Sequence, residues 1–409
     1  MNPLRTAAVR FLDGIGYGSI ELVEGGWRHT LGAGNEGPVA TVEIHSSKLW
    51  QRMLRGSTGM AESYMLGEWD CEDLVTLTTI AGHNLDQLDA VRERFQWLTG
   101  PVQKLGVTMP RTTKSRGRRQ IAAHYDLGNK LFSLFLDPSM NYSSGIYESA
   151  GDSLEQAQLN KMDRIAERLD LGPDDHLVEI GTGWGGLAVY LAEKTGCRIT
   201  TTTISKEQAT LARERVKAAG LTDRIEVIEV DYRDLTGKYD RLVSVEMIEA
   251  VGWKDLPTYF SKCSELLRPG GLMLLQAIVI DDDAYEIEKA SRSFISHFIF
   301  PGGCLPSVRE IDRCLEAKTD LRTTWIDDIG IDYAHTLADW RERFLGVTNE
   351  LEALGYDRRF RRMWMLYLCF AEGGFRSGRN SNAQMTMAKP AYLPRTQPSG
   401  KAPAGTSPG

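Results

Sequence analysis

The chain has 409 residues, with 48 lysines and arginines against 55 aspartates and glutamates and a formal net charge of −7. A protein that coats nucleic acid needs a broad positive field, so that class is excluded, although a local basic patch is not. With 42% hydrophobic and 25% charged residues, the composition is that of a globular chain, and its length suggests two or three units. Cys71, Cys197, Cys263, Cys304, Cys314 and Cys369 show no CxxC spacing, which argues against a zinc site or a disulfide frame. The N-terminal segment reaches Asp13 and Gly14 before any apolar core long enough for a signal peptide. The longest apolar runs, Gly271–Ile280 and Met363–Phe370, fall short of the roughly 20 residues that cross a bilayer. The expectation is a cytoplasmic protein without a membrane span.

Residues 1–100 read as a small α+β accessory domain. VATVEI (39–44) alternates as a strand does, SKLWQRMLRG (47–56) reads as a helix closed by Gly56, and Leu74–Leu98 carries a long helical pattern. Residues 101–120 form a basic linker in which Lys104, Arg111, Lys114, Arg116, Arg118 and Arg119 occur with no acid from Gln103 onward. Such a run serves equally as a solvated connection or as a contact for phosphate head groups.

From 121 to 388 the pattern changes. The apolar runs HLVEI (176–180), CRITTTTI (197–204), IEVIEV (225–230), RLVSV (241–245) and GLMLLQAIVI (271–280) alternate with helical segments. Continuous rather than alternating hydrophobicity implies strands covered on both faces, hence an α/β, doubly wound, Rossmann-like parallel sheet. Ala383–Ala388 is expected to close that sheet at its edge. Residues 389–409, rich in Pro, Gly and Ser, are expected to form a disordered tail.

The first strand runs into Gly181-Thr182-Gly183-Trp184-Gly185-Gly186 and then a helix. Glycines permit a tight turn and close approach of a ligand at the carboxyl edge of the sheet. The spacing alone is a weak signal. A dinucleotide site also needs an acid closing the second strand, which here ends Thr201-Thr202-Thr203-Ile204-Ser205. An acid lies inside the motif instead, Glu179, and Asp231 closes the third strand. S-adenosylmethionine (SAM) methyltransferases are arranged in this way, the acid facing the ammonium of the methionine part. SAM is therefore the expected cofactor.

Longer segments are more particular. His124-Tyr125-Asp126-Leu127-Gly128-Asn129 precedes LDPSMNYS (136–143), TISKEQ (203–208), DYRD (231–234), EMIEAVG (246–252) and IFPGGCLPS (299–307). In this order and spacing, over roughly residues 40–388, the chain resembles the cyclopropane-fatty-acyl-phospholipid synthase family, which includes the mycolic acid cyclopropane synthases. GMAESYM (59–65) and GEW (67–69) resemble the accessory domain of its phospholipid-acting members. The resemblance implies transfer of the SAM methyl group to the double bond of an unsaturated phospholipid or fatty acid, by a homodimer. An isolated alkene is a poor nucleophile, so the site must align it in a dry pocket and accommodate a carbocation. The faces of Tyr142 and Tyr333 suit that cation. By position, the family implies Tyr142 and Ser143 against SAM, and Gly181, Thr182 and Gly183 under its methionine part. Thr203, Ile204 and Gln208 then meet the ribose, while Tyr232 and Arg233 frame the adenine.

In that family the final proton goes to a bound bicarbonate, held by a cysteine, a glutamate, a histidine, a tyrosine and backbone groups. Glu249 and Tyr333 occupy two of these places, and Ile278 the backbone contact. Ser144 stands where the cysteine is expected, Gln276 where the histidine is, and Ala250 where a histidine usually follows the glutamate. Serine and glutamine still offer hydrogen bonds. A modified bicarbonate site making a cyclopropane is one outcome. A hydride shift and proton loss, giving a methylene-branched chain (or a methyl branch after reduction elsewhere), is another. A SAM-dependent small-molecule methyltransferase and a non-catalytic SAM- or lipid-binding protein are the alternatives. Phe294, Ile295 and Phe298, beside Arg292 and His297, suit either a helix on the core or the lip of an acyl tunnel. Arg358, Arg359, Arg361 and Arg362 before Met363–Tyr367 suit either peripheral docking on an anionic membrane or a solvated helix face.

Overall fold

Two sheets organise the chain in the computed structural model, which describes residues 2–85, 128–290 and 293–395. The basic linker at 101–120, the distal part of the Leu74–Leu98 pattern, His124–Leu127, Arg292 and the tail from 396 lie outside the described residues. The first sheet contains β1 (Ser19–Glu24), β2 (Trp27–Leu31), β3 (Val39–Ile44) and β4 (Trp69–Cys71) in the order β2-β1-β3-β4. Gly25 and Gly26 join β1 to β2, and Gly25 at φ +56° supplies the left-handed conformation that a two-residue hairpin requires. On β3 the expected alternation buries Ala40, Val42 and Ile44. The segment read as one helix to Gly56 is a helix at Lys48–Arg52 and a 3₁₀ turn, after which Gly56 opens a second helix, Gly56–Met65.

The second sheet holds β5 (His176–Ile180), β6 (Arg198–Thr202), β7 (Ile225–Ile228), β8 (Tyr239–Val245), β9 (Leu267–Ile280), β10 (Arg322–Asp328) and β11 (Asn380–Ala388). Its order is β10-β11-β9-β8-β5-β6-β7, and the five strands from β9 to β7 run parallel. Helices Gly186–Thr195, Lys206–Ala218 and Leu256–Leu266 make crossovers. The order reverses at β5, so a crevice opens beyond its carboxyl end, the usual ligand site of such sheets.

Ala383–Ala388 does not close the sheet. β11 lies between β9 and β10, antiparallel to both, and β10 is the edge. The physical reason is burial: Asn382 to Ala388 are all buried, which demands a neighbour on each side. β10, which the hydrophobic pattern did not announce, alternates exposed and half-buried residues and carries Arg322, Asp327 and Asp328, suiting a solvated edge. Order also persists beyond 389. The Gly270 N–H donates to the Pro390 carbonyl at 2.9 Å, and Arg395 grips buried Asp175 through two bonds of 2.7 Å.

The accessory unit has its own sheet but shares a core with the rest. One apolar cluster runs from Leu22, Trp50 and Trp69 through Phe132 and Trp340 to Trp364 and Phe375. Its spine is the helix Arg358–Arg376, capped by Asp357, whose carboxylate accepts from the Phe360 N–H at 2.7 Å. Gly373 on this helix lets the helix Leu74–His83 approach: a Cβ there lies 2.3 Å from Thr78 Oγ1 and 2.7 Å from the Thr79 nitrogen. The Thr78 hydroxyl donates to the Cys369 carbonyl at 2.7 Å across the same contact.

Candidate active site

At the switch point the chain leaves β5 through Gly181 (φ +105°), Gly183 (φ +52°) and Gly185 (φ +85°). All three angles strain any residue with a side chain. A Cβ on Gly183 meets nothing within 4 Å, so the turn presents open backbone to the crevice. On Gly186 a Cβ lies 2.3 Å from the Ser139 carbonyl oxygen, so this glycine serves packing. Beneath the turn Glu179 is buried; Thr201 Oγ1 lies 2.5 Å from its Oε2 and 2.7 Å from Thr182 Oγ1. Burial pushes the Glu179 carboxyl up to about 8. It is thus neutral at pH 7 until a cation approaches, which is the behaviour expected beside an ammonium group. The open backbone and this carboxyl fit the methionine part of SAM.

Further along the crevice, Thr203 Oγ1 donates to Gln208 Oε1 at 2.8 Å, and Ser205 caps the helix Lys206–Ala218. Ile204 lies half-buried beside them. Beyond β7, Asp231 accepts from Arg233 Nε at 2.8 Å and Nη2 at 2.7 Å, while Tyr232 stands edge-on to Tyr259 at 5.5 Å. The residues expected around ribose and adenine thus flank the same sheet edge, with Arg233 locked in place by Asp231.

The expected anion ligands also converge, but on a side chain that sequence reasoning overlooked. Glu246 follows β8 in a left-handed backbone conformation, φ +48°, unusual for a residue with a side chain. Its Oε1 accepts from the Ser144 backbone N–H at 3.0 Å, Gln276 Nε2 at 2.8 Å and Asn382 Nδ2 at 2.6 Å. Its Oε2 accepts from the Tyr333 hydroxyl at 2.8 Å. Every partner is a donor, so the cage suits a carboxylate. Gln384 on β11 donates to Gln276 Oε1 at 2.9 Å, which turns the nitrogen of Gln276 toward Glu246.

Two expected ligands act differently. The Ser144 hydroxyl donates to the Gly145 carbonyl at 2.9 Å, so Ser144 contributes its backbone only. The Ile278 N–H donates to Glu249 Oε1 at 2.7 Å, while Glu249 Oε2 is buried without a partner. Burial first, and then the charge of Glu246, push the Glu249 carboxyl up to about 8. Two carboxyl groups of unlike environment therefore stand side by side. The overlooked signal was an acid ending β8, three residues before Glu249. Asn382 and Gln384 had none, since β11 lies far from β8 in sequence.

Aromatic rings surround this centre. The hydroxyls of Tyr142 and Tyr367 lie 2.8 Å apart, and the Tyr142 ring packs on Phe132 at 5.1 Å and Trp340 at 5.2 Å. Tyr333 stacks on Phe375 at 4.5 Å, and burial raises its phenol well above the usual value. Ser143 accepts from Lys161 Nζ at 2.7 Å. Phe294 is buried against Phe370 at the start of a π-helical turn, Ile295–Ile299, and its N–H donates to the Ser57 hydroxyl of the accessory unit at 3.2 Å. In the arginine cluster, Arg361 pairs with Glu352 and Arg362 with Asp70, each at 2.7 Å; Arg358 and Arg359 are exposed. No helix among the described residues is long and apolar enough to cross a membrane.

A seven-stranded, mostly parallel sheet with this glycine turn at its switch point defines a SAM-dependent methyltransferase. The chain is similar to the cyclopropane synthase MmaA2 from Mycobacterium tuberculosis (TM-score 0.62, 28% identity, 66% of this chain and 98% of the other). It is equally similar to the mycolic acid cyclopropane synthase CmaA1 solved with SAH and CTAB (TM-score 0.62, 29% identity, the same coverage). The family model of mycolic acid cyclopropane synthetase matches residues 112–385, and the chain belongs to that family. Among curated relatives, tuberculostearic acid methyltransferase UfaA1 of M. tuberculosis is 40% identical over 82% of this chain and 79% of its own length. The cyclopropane-fatty-acyl-phospholipid synthase of Escherichia coli K12 is 36% identical over 83% and 85%.

Proposed function

We propose that this methyltransferase acts on the double bond of an unsaturated fatty acyl chain, and that Glu246 supplies from within the chain the base that the family takes from bicarbonate. SAM, when bound, supplies an electrophilic methyl group. Glu179, Gly181, Thr182 and Gly183 hold its methionine part, Thr203, Ile204 and Gln208 its ribose, and Asp231, Tyr232 and Arg233 its adenine; Tyr142 and Ser143 close over it. What remains for the protein is a cation on the acyl chain and one proton to remove. The ring faces of Tyr142 and Tyr333 lower the energy of the cation. Glu246 takes the proton from the added methyl group, and the C–H electron pair either closes a three-membered ring or, after a 1,2-hydride shift, forms a methylene. Glu249, held neutral, keeps a second negative charge out of the site. Exposed Arg358 and Arg359 favour docking on an anionic bilayer.

The observation that carries this reading is the ring of four donors on Glu246. Incubation with methyl-labelled SAM and liposomes of unsaturated phospholipid, or with free unsaturated acid, is expected to add one CH2 to the acyl chain. Fragmentation then distinguishes ring from branch; no mass gain on any of these lipids overturns the proposal. The base is tested by Glu246→Gly, which suits the positive φ and empties the cage. That variant is expected to be inactive in bicarbonate-free buffer and to recover with added bicarbonate, whereas Glu246→Gln stays inactive in both. Full activity of either variant without bicarbonate removes Glu246 from the mechanism.

A further inference from the structure

Lys161 lies on the helix Leu154–Arg168, whose buried Met162, Ile165 and Ala166 pack on the sheet. Its side chain belongs to that buried face, at 1% exposure. A buried lysine without a function is costly, because an ammonium leaves water only where something compensates. Its Nζ donates to Ser143 Oγ at 2.7 Å, and Gln158 one turn earlier donates to the Ser143 carbonyl at 2.9 Å. The next peptide N–H, that of Ser144, donates to Glu246 Oε1 at 3.0 Å. Lys161 is thus joined to the carboxylate by a single turn of backbone. The acids that face it are Glu246 on the segment after β8 and Asp137 on the segment after the helix Asn129–Phe135. Asp137 accepts from the Ser139 N–H at 2.8 Å and the Asn141 N–H at 3.2 Å, so it holds its own turn.

We infer that Lys161 is a positioning residue for proton removal: through Ser143 it fixes the turn whose Ser144 N–H donates to Glu246. The inference rests on Glu246 being the base. Burial lowers Lys161 to about 8, so the ammonium form prevails at neutral pH.

The test compares Lys161→Met and Lys161→Arg with the wild type, reading SAM affinity, the urea midpoint and kcat. Lys161→Met removes the donor to Ser143, so kcat is expected to fall about tenfold with SAM affinity nearly unchanged. Lys161→Arg keeps a charged donor and recovers most of kcat. A merely structural role lowers SAM affinity and kcat together and gives no recovery in Lys161→Arg, and that result overturns the inference. Should Lys161→Met fail to fold, Lys161→Gln carries the test: its shorter side chain withdraws from Ser143, and wild-type kcat in that variant overturns the link. Activity surviving in Glu246→Gln signals instead that the base assignment has failed.

Discussion

Glu246 occupies a backbone conformation that disfavours it, at about 1–3 kcal/mol for a residue with a Cβ. Four converging donors offset that strain, and strain of this kind concentrates where geometry serves chemistry. Glu249 beside it leads to a stability prediction. Its carboxyl rises from 4.5 to about 8 on folding, so the native state keeps a proton that the unfolded chain has lost. Stability therefore decreases as pH rises from about 4.5 to about 8, by up to about 1.4 kcal/mol per unit from this group. Urea midpoints measured from pH 5 to 8 are expected to fall, and to fall less in Glu249→Gln, whose amide cannot ionise. An identical slope in the variant contradicts the neutral Glu249. Both acids were visible in EMIEA, but the donors that meet Glu246 are brought from β9, β11 and the helix Gly330–Gly346.

At the scale of elements, the glycine turn does two jobs with two kinds of glycine. Gly183 leaves ligand space, whereas Gly186 admits the Ser139 carbonyl. Gly186→Ala is expected to push away the segment that carries Tyr142, Ser143 and Ser144. The cost is about 1–3 kcal/mol of stability, with weaker SAM binding measured by calorimetry. Unchanged affinity and midpoint show that this packing is slack. The turn, β5 and the crossover helices were legible because local hydrophobic runs and glycine spacing report directly on them. β10 was not: its side chains alternate between solvent and half-burial and leave no apolar run. β11 was legible as a strand but not in its place, since pairing with β9 on one side and β10 on the other is non-local.

Across the whole molecule, the accessory sheet and the catalytic sheet meet over one apolar cluster. Gly373 and Thr78 bring two helices from the two units into backbone contact. Folding is therefore expected to be cooperative across both: tryptophan fluorescence and far-ultraviolet dichroism report one coincident urea transition. Two resolved transitions show separable domains instead. The sequence by itself determined the α/β class, the glycine turn for SAM and the family, because spacing and local pattern encode each of these. Only the tertiary structure decided that Tyr333, Gln276, Ser144 and Asn382 close on Glu246, and that Lys161 stands behind them. The reason is physical: a hydrogen-bond cage depends on distances between segments 30 to 136 residues apart, and no local pattern carries such distances.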